Sequence, residues 1–262
     1  MRPRKRTPTS RNSTSRSVVK AFAILDAMAT RGTDGIPLAE IAKQLRMSKS
    51  TTHRYLTTLE KLGAVERNQK DRFHLGLKLI ELAGITLSRN DLRAQADAFL
   101  NELSAQTQET VHLAVPSGTE VVYIAKADSK QPIQMYSRIG ARVPMYSTAL
   151  GKAILAHSSS TIVDQVLHGN LVARTPNTIT SPHTLLTELE RVRSQGFAID
   201  DQENEVGVCC VGAPIFDYNA KVIGAISVSG PADRMAKERH VKLGPIVADA
   251  ALQLSRRMGY SG

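Results

Sequence analysis

Between Ser48 and Lys61 the run SKSTTHRYLTTLEK gathers side chains suited to gripping a polyanion and reading base edges rather than to breaking bonds. At helical spacing Ser50, Arg54, Thr57 and Lys61 share one side, with His53 at its edge, and no acid precedes Glu60. Hydroxyl, guanidinium, imidazole and ammonium groups on an outer helix face can donate to phosphate oxygens and to bases in a major groove. Many helices carry a polar outer face and bind nothing, so the neighbouring elements have to decide.

On the opposite side of that stretch Thr52, Tyr55, Leu56 and Leu59 form an apolar stripe. Upstream, Leu38, Ile41, Ala42 and Leu45 repeat at i, i+3, i+4 and i+7, which predicts a first helix that packs on the second. Arg46 and Met47 make the turn, with Met47 a plug between the helices. Ser48 stands where an N-cap belongs, which puts Lys49, Ser50 and Thr51 in the exposed first turn. Leu38 to Leu62 therefore reads as a helix-turn-helix. Gly63 ends the run as a C′ glycine would. Ala64 to Leu75 then alternates, Val65 and Arg67 against Phe73 and Leu75, around a polar Asn68–Asp71 tip, which predicts a β-hairpin wing. The expected DNA contacts are Ser48, Lys49, Ser50, Thr51, His53, Arg54, Thr57 and Lys61 on the helix. On the wing they are Arg67, Lys70 and Arg72, which should touch phosphate more than bases. Ahead of the pair, Ser17 can cap a helix with Val18, Phe22, Leu25 and Met28 along the side that packs across it, and Pro37 stands at the start of the next helix.

Charge supports this placement. The chain of 262 residues carries a formal net charge of +10. Residues 1–76 hold 16 Lys and Arg against 6 Asp and Glu, whereas residues 77–262 hold 18 of each. All the excess lies in the segment that holds the helix pair, as phosphate contact requires. Length and this split imply two domains. Residues 1–16, rich in Arg, Ser, Thr and Pro without an acid, are expected to be a disordered basic arm, either a solvated tail or an arm on phosphates or a minor groove. Residues 17–76 form the winged helix-turn-helix. Residues 77–90 form a linker helix, in which LKLIELAGITL is apolar on more than one face and must bury part of itself, against a partner chain or against its own C-terminal domain.

Other classes are disfavoured. No stretch approaches the apolar length of a membrane span and no leader-like apolar region follows the first positive charges, so a cytoplasmic protein without a membrane partner is expected. Cys209 and Cys210 are adjacent, which disfavours a mutual disulfide, and the seven histidines are scattered without metal spacing. No Gly-x-Ser-x-Gly or His-Glu-x-x-His motif occurs, so neither a catalytic residue nor a metal or other cofactor is expected. Aromatics are 4% and Trp is absent, against stacking on single-stranded bases.

From residue 91 to 262 the texture changes. A helix with Leu92, Ala96, Phe99, Leu100 and Leu103 on its buried side leads into strands at Thr110–Val115, Glu120–Lys126 and Ile133–Tyr136. Helices follow at Leu150–His157, Thr161–Leu167 and Pro182–Gln195 behind a Ser181 cap. Strands fit Ala198–Ile199, Val208–Phe216 and Val222–Val228, and Glu238–Met258 closes as a long amphipathic helix. This order predicts an α+β domain on a mainly antiparallel sheet.

Five segments in this order, SKSTTHRYLTTLEKLGAVER, ETVHLAV, GARVPMYSTALGKAILA, DDQENEVGVCCVGAPIFD and GAISVSGP, give the chain a resemblance to the IclR-type bacterial transcription regulators over about residues 17–260. MYSRIGARVPMYSTALGKA and the closing MGY look most like the repressors of pectin and keto-deoxygluconate catabolism. The resemblance implies a winged helix-turn-helix, a linker helix and a GAF-like effector-binding domain. It also implies a double-stranded DNA operator, a small carboxylate effector, and a homodimer or dimer of dimers. Relatives in this group respond to 2-keto-3-deoxygluconate, and others to glyoxylate, pyruvate or aromatic acids.

By the same resemblance, Thr148, Ala149 and Leu150, with Asp200, Cys210, Ser227 and Ser229, match the effector pocket, and Met135, Tyr136 and Arg138 are further wall candidates. The chemistry is consistent with those positions. A helix start offers unsatisfied amides to a carboxylate. Ser227 and Ser229, two apart on a strand, face the same side, and Asp200 can accept from ligand hydroxyls. Cys210 is expected as pocket wall and not as a nucleophile. STALGKA is not a P-loop, because Tyr146 stands five residues before Gly151 and Ala153 follows Lys152. Leu150 stands where some relatives have a smaller residue, which narrows the ligand.

Overall fold

The apolar stripes of the N-terminal third close on one another in the computed structural model, which describes residues 15–29, 35–88, 91–131 and 137–262. The elements are α1 (Arg16–Ala29), β1 (Ile36–Pro37), α2 (Leu38–Gln44), α3 (Lys49–Lys61), β2 (Val65–Arg67) and β3 (Arg72–Leu75). Ile24 and Met28 of α1, Ile41 of α2, Leu56 and Leu59 of α3, and Val65 and Phe73 of the hairpin share one core, with Met47 packed against it as the expected plug. Burying each such aliphatic side chain contributes about 1.5–3 kcal/mol. The strands form an antiparallel sheet in the order β1-β3-β2. β1, too short to show alternation in sequence, pairs Ile36 with Phe73 and Pro37 with Arg72, tying the start of α2 to the wing.

Two expectations for this segment are corrected. Helix α1 buries Ile24, Ala27 and Met28, with Ala21 and Leu25 partly covered, whereas Val18 and Phe22 are 56% and 62% exposed. The buried stripe is 21, 24, 25 and 28, so the face that packs is rotated from the one read off the sequence. Helix α1 also starts at Arg16, inside the expected arm. The rest of that arm, residues 1–14, lies outside the described residues.

Beyond the wing, α4 (Lys78–Ser88) occupies the expected linker. Leu77 just before it and Ile80, Leu82 and Ile85 on it are each more than half exposed in the single chain.

The chain divides into two units, Met1–Thr86 and Leu87–Gly262. The second contains α5 (Asp91–Thr107), β4 (Thr110–Ser117), β5 (Glu120–Ala127), β6 (Arg142–Pro144), α6 (Ala149–Leu155) and α7 (Ser160–Leu167). These are followed by α8 (Pro182–Gln195), β7 (Ala198–Asp201), β8 (Val208–Phe216), β9 (Val222–Pro231) and α9 (Lys237–Arg257). The six strands run β6-β5-β4-β9-β8-β7, each antiparallel to its neighbour. The strand expected at Ile133–Tyr136 lies outside the described residues, and β6 was not anticipated. Helix α8 has the ends its sequence dictates, with Ser181 Oγ accepting from Thr184 N, Pro182 in the first turn and Gly196 left-handed at φ 81°.

Strand alternation sorts the side chains between two layers. Val111, Leu113, Val211, Ile226 and Val228 face α5 and α9, burying Leu100 and Val247. Ala114, Val121 and Ala225 face α6, α7 and α8, burying Ile154 and Leu189. Two glycines let α6 seat its first turn directly on the sheet. A Cβ on Gly212 would lie 3.0 Å from the Ala149 carbonyl carbon, and one on Gly151 would lie 2.3 Å from Met145 Cα.

Candidate DNA-binding face and ligand cavity

Ser48 caps α3 as its sequence position implies, its Oγ accepting from Thr51 N at 3.2 Å. The same hydroxyl meets Ser50 Oγ at 3.1 Å and donates to Thr51 Oγ1 at 2.8 Å, so the three hydroxyls form one cluster at the start of the helix. Thr52 is fully buried and gives its hydroxyl proton to Ser48 O. Lys49, Ser50, His53, Arg54 and Lys61 are exposed and Thr57 is half-buried. Gly63, at φ 72°, turns the chain into the wing, with Gly63 N donating to Glu60 O and Ala64 N to Leu59 O.

The three wing cations differ in what holds them. Arg72 donates from Nε and Nη2 to Gly35 O at 3.2 and 2.8 Å, bracing the hairpin against the residue before β1. Arg67 pairs with Asp71 at 2.9 Å and lies over the Phe73 ring. Lys70 is exposed at the tip, its backbone N–H bonded to Asn68 Oδ1.

In the second unit, strand register gathers residues far apart in sequence. Asp200 pairs with Cys210 and Cys210 with Ser229, a single row across β7, β8 and β9. In the next row Gly212 pairs with Ser227, and Ser227 with His112 of β4. Because Gly212 has no side chain, the first turn of α6 closes over these rows. Together they enclose a cavity of about 190 Å³, whose lining includes Thr148, Ala149, Leu150, Asp200, Cys210, Ser227, Ser229 and Arg138. Every described candidate for the pocket thus meets at one place. Met135 and Tyr136 lie outside the described residues.

Thr148 caps α6, its Oγ1 accepting from Gly151 N at 3.1 Å and donating to Pro144 O at 2.8 Å. Among the described residues no acceptor meets the Ala149 and Leu150 amides. Asp200 is only 2% exposed, and its Oδ1 accepts from Glu203 N at 2.7 Å and Asn204 N at 3.3 Å. Burial pushes its carboxyl up to about 7, against the pull of Lys152. Lys152, fully buried, pairs with Glu203 and with Glu188 at 3.5 Å. The loop that carries Asp200 is fastened further by Thr175 and Thr178, whose hydroxyls donate to Gln202 O and Glu203 O, each at 2.6 Å. Burial also raises the Cys210 thiol well above its ordinary value, which makes it an uncharged wall and a poor nucleophile.

The structure adds wall residues that the sequence reading missed, chiefly His112 and Tyr123. His112 is 3% exposed, and its Nε2 lies 2.7 Å from Ser137 Oγ. Burial, with Lys126 nearby, lowers its pKa to about 4. Tyr123 packs against the imidazole, and burial raises its phenol. A histidine within a strand-like apolar run was the available signal, but only the β4–β9 register shows which cavity it faces.

Among the described residues, no group of three or more His, Cys, Asp or Glu could hold a metal ion, and no helix is long and apolar enough to cross a membrane. Residues 17–69 match the IclR helix-turn-helix domain, and residues 84–256 match the bacterial transcriptional regulator IclR C-terminal domain. The HTH-type transcriptional regulator KdgR of Escherichia coli (strain K12) is 41% identical over 246 residues, 93% of each chain. The HTH-type transcriptional repressor AllR of Salmonella typhi is 30% identical over 98% of this chain and 95% of its own. The crystal structure of the Thermotoga maritima IclR superposes with a TM-score of 0.76 at 39% identity, covering 93% of this chain and 99% of that one. KdgR is named a transcriptional regulator and AllR a transcriptional repressor, neither an enzyme. The chain belongs to the IclR family of DNA-binding bacterial transcriptional regulators.

Proposed function

We propose that the protein is a repressor whose hold on operator DNA is released or re-positioned by a small hydroxylated carboxylate, with 2-keto-3-deoxygluconate the first candidate. The observation that carries this reading is the polarity of one small cavity. Arg138 and the first-turn amides of α6 suit a carboxylate, and Asp200, Asn204 and Glu205, which share the lining with Ser227 and Ser229, can accept from ligand hydroxyls. An acid without a hydroxyl, such as pyruvate or glyoxylate, would leave Asp200 bonded only to the Glu203 and Asn204 amides, with no partner in the ligand. The resemblance to repressors of pectin and keto-deoxygluconate catabolism points the same way, and the AllR relative is named a repressor.

On the DNA side, α3 lies in the major groove with Lys49, Ser50, Thr51, His53, Arg54, Thr57 and Lys61 toward bases and phosphates, and Ser48 setting the helix start. Lys70 and Arg67 reach phosphate from the wing, which Arg72 braces. Two heads are needed for a pseudo-palindromic site, and the exposed Val18, Val19 and Phe22 of α1, with Leu77, Ile80, Leu82 and Ile85 at α4, are apolar surface that a homodimer would cover. The acid shifts the assembly only by its differential affinity for the bound and released arrangements. Titrating operator DNA against the full chain, with and without a panel of sugar, keto and aromatic acids, tests the reading. A drop in affinity confined to hydroxylated acids supports it, and indifference to the whole panel removes the sensing role.

A further inference from the structure

His112 stands between two serines in the cavity wall. Its Nε2 is 2.7 Å from Ser137 Oγ and its Nδ1 is 3.3 Å from Ser229 Oγ. The ring is buried and held neutral, so it has one N–H and one lone pair. One serine contact must therefore be a donation from the ring and the other an acceptance by it. Only two arrangements of Ser137, His112 and Ser229 satisfy both contacts. With the proton on Nε2, the ring donates to Ser137, and Ser229 turns its own O–H to Nδ1, leaving lone pairs toward the cavity. With the proton on Nδ1, the ring donates to Ser229, which frees the Ser229 O–H to donate into the cavity, while Ser137 donates to Nε2. Cys210, cross-strand from Ser229 and hydrogen-bonded to it, keeps its proton, and its sulfur is only a weak acceptor and a weak donor, so the imidazole sets the direction.

Asp200 selects between the two. It lies in the same row as Ser229, with Cys210 between them, and above pH 7, where its carboxyl is ionised, it is an acceptor only. A ligand hydroxyl over Cys210 gives its proton to Asp200 and keeps its lone pairs for a donor on the other side. We propose that His112 is a specificity-determining residue of this cavity: a hydroxylated acid fixes its imidazole with the proton on Nδ1, so that Ser229 donates to the hydroxyl that Asp200 accepts from. A hydroxyl-free keto acid meets Ser229 but gives Asp200 nothing. The inference deepens the proposed effector site and rests on it.

The test uses the full chain labelled with ¹⁵N-histidine at pH 8, where Asp200 is ionised, with 2-keto-3-deoxygluconate and pyruvate as probes. His112 is assigned by its loss in His112→Leu. With 2-keto-3-deoxygluconate bound, the spectrum should show Nδ1 protonated and Nε2 bare, and the opposite tautomer in that state would overturn the proposal. By calorimetry, His112→Leu should lower the preference for 2-keto-3-deoxygluconate over pyruvate by roughly tenfold or more. An unchanged preference would also overturn it. If His112→Leu does not fold, Ser137→Ala, which removes the partner at Nε2, should relax the same preference, and the imidazole signals it shifts assign His112 in the wild-type spectrum. Failure of wild type to bind either acid would instead sink the effector site itself, and the inference with it.

Discussion

The two units hold their polar groups in opposite ways. On α3 the expected DNA contacts lie at the surface, spaced by the helical repeat, and Lys49, His53, Arg54 and Lys61 are open to water. In the sheet domain Asp200, His112, Ser227 and Ser229 are each at least 96% buried and are brought together by strand register. A long polyanion is met by side chains that displace counterions along a surface. A small acid has to be enclosed, and its recognition groups must be desolvated and fixed beforehand. The head can thus be read from local sequence, whereas a family resemblance names cavity residues such as Asp200 and Ser229 and only long-range pairing shows how they meet.

The comparison is tested most severely at Asp200, which should respond to pH as no surface carboxylate would. Its carboxyl rises from 3.8 to about 7 in the folded chain, so the native state holds a proton that the unfolded state releases. Stability should therefore fall as pH rises from about 4 to about 7 and level off above, by at most roughly 4 kcal/mol at 1.36 kcal/mol per pKa unit. Asp200→Asn keeps an acceptor for the Glu203 and Asn204 amides and should flatten that slope in urea titrations between pH 4 and 8. An unaltered slope would mean that the carboxyl is ionised throughout. In wild type, affinity for a hydroxyl-free acid such as pyruvate should also weaken above pH 7, as a second negative charge appears in the cavity with no ligand hydroxyl to meet it.

Gly151→Ala comes next. Its Cβ would meet the Met145 backbone, so α6 cannot keep its seat, and the expected loss is about 3 kcal/mol or more. Calorimetry should show a lower unfolding midpoint together with lost ligand binding, and a variant with unchanged behaviour would refute the close approach. Arg54→Ala should weaken operator binding by about 1–3 kcal/mol per head while leaving acid binding intact. Equal loss on every DNA sequence would reassign Arg54 to phosphate. The smallest effect expected is at the wing tip. Lys70→Ala should reduce the slope of log affinity against log salt by roughly 1 per head, with little change in sequence preference.

Much of the head was legible in the sequence because its signals are local. The spacing of Leu38, Ile41, Ala42 and Leu45, the Ser48 cap and the Gly63 stop each describe a few consecutive residues, and each element appears where those residues put it. Helix α1 misled because Val18 and Phe22 continue an apolar stripe that is left more than half exposed, while the stripe through Ala21, Ile24, Leu25 and Met28 does the packing. The sheet domain was legible as a list of elements and not as an arrangement. Ser227 and Ser229 could be placed on one strand face, but His112 is 115 residues from Ser227, and only the β4–β9 pairing sets them side by side. Lys152 was equally silent, since a lysine on a short helix does not announce a buried pair with Glu203.

A surface-reading head that answers to an enclosed acid site in the same chain should lose its DNA when that site fills. This is tested most directly by measuring the operator affinity of the full chain with and without saturating 2-keto-3-deoxygluconate, for wild type and Ser227→Ala. The acid should weaken wild-type binding by roughly 5- to 150-fold, and Ser227→Ala should bind DNA normally but no longer respond. Wild-type operator affinity that stays the same while the acid is bound would contradict it.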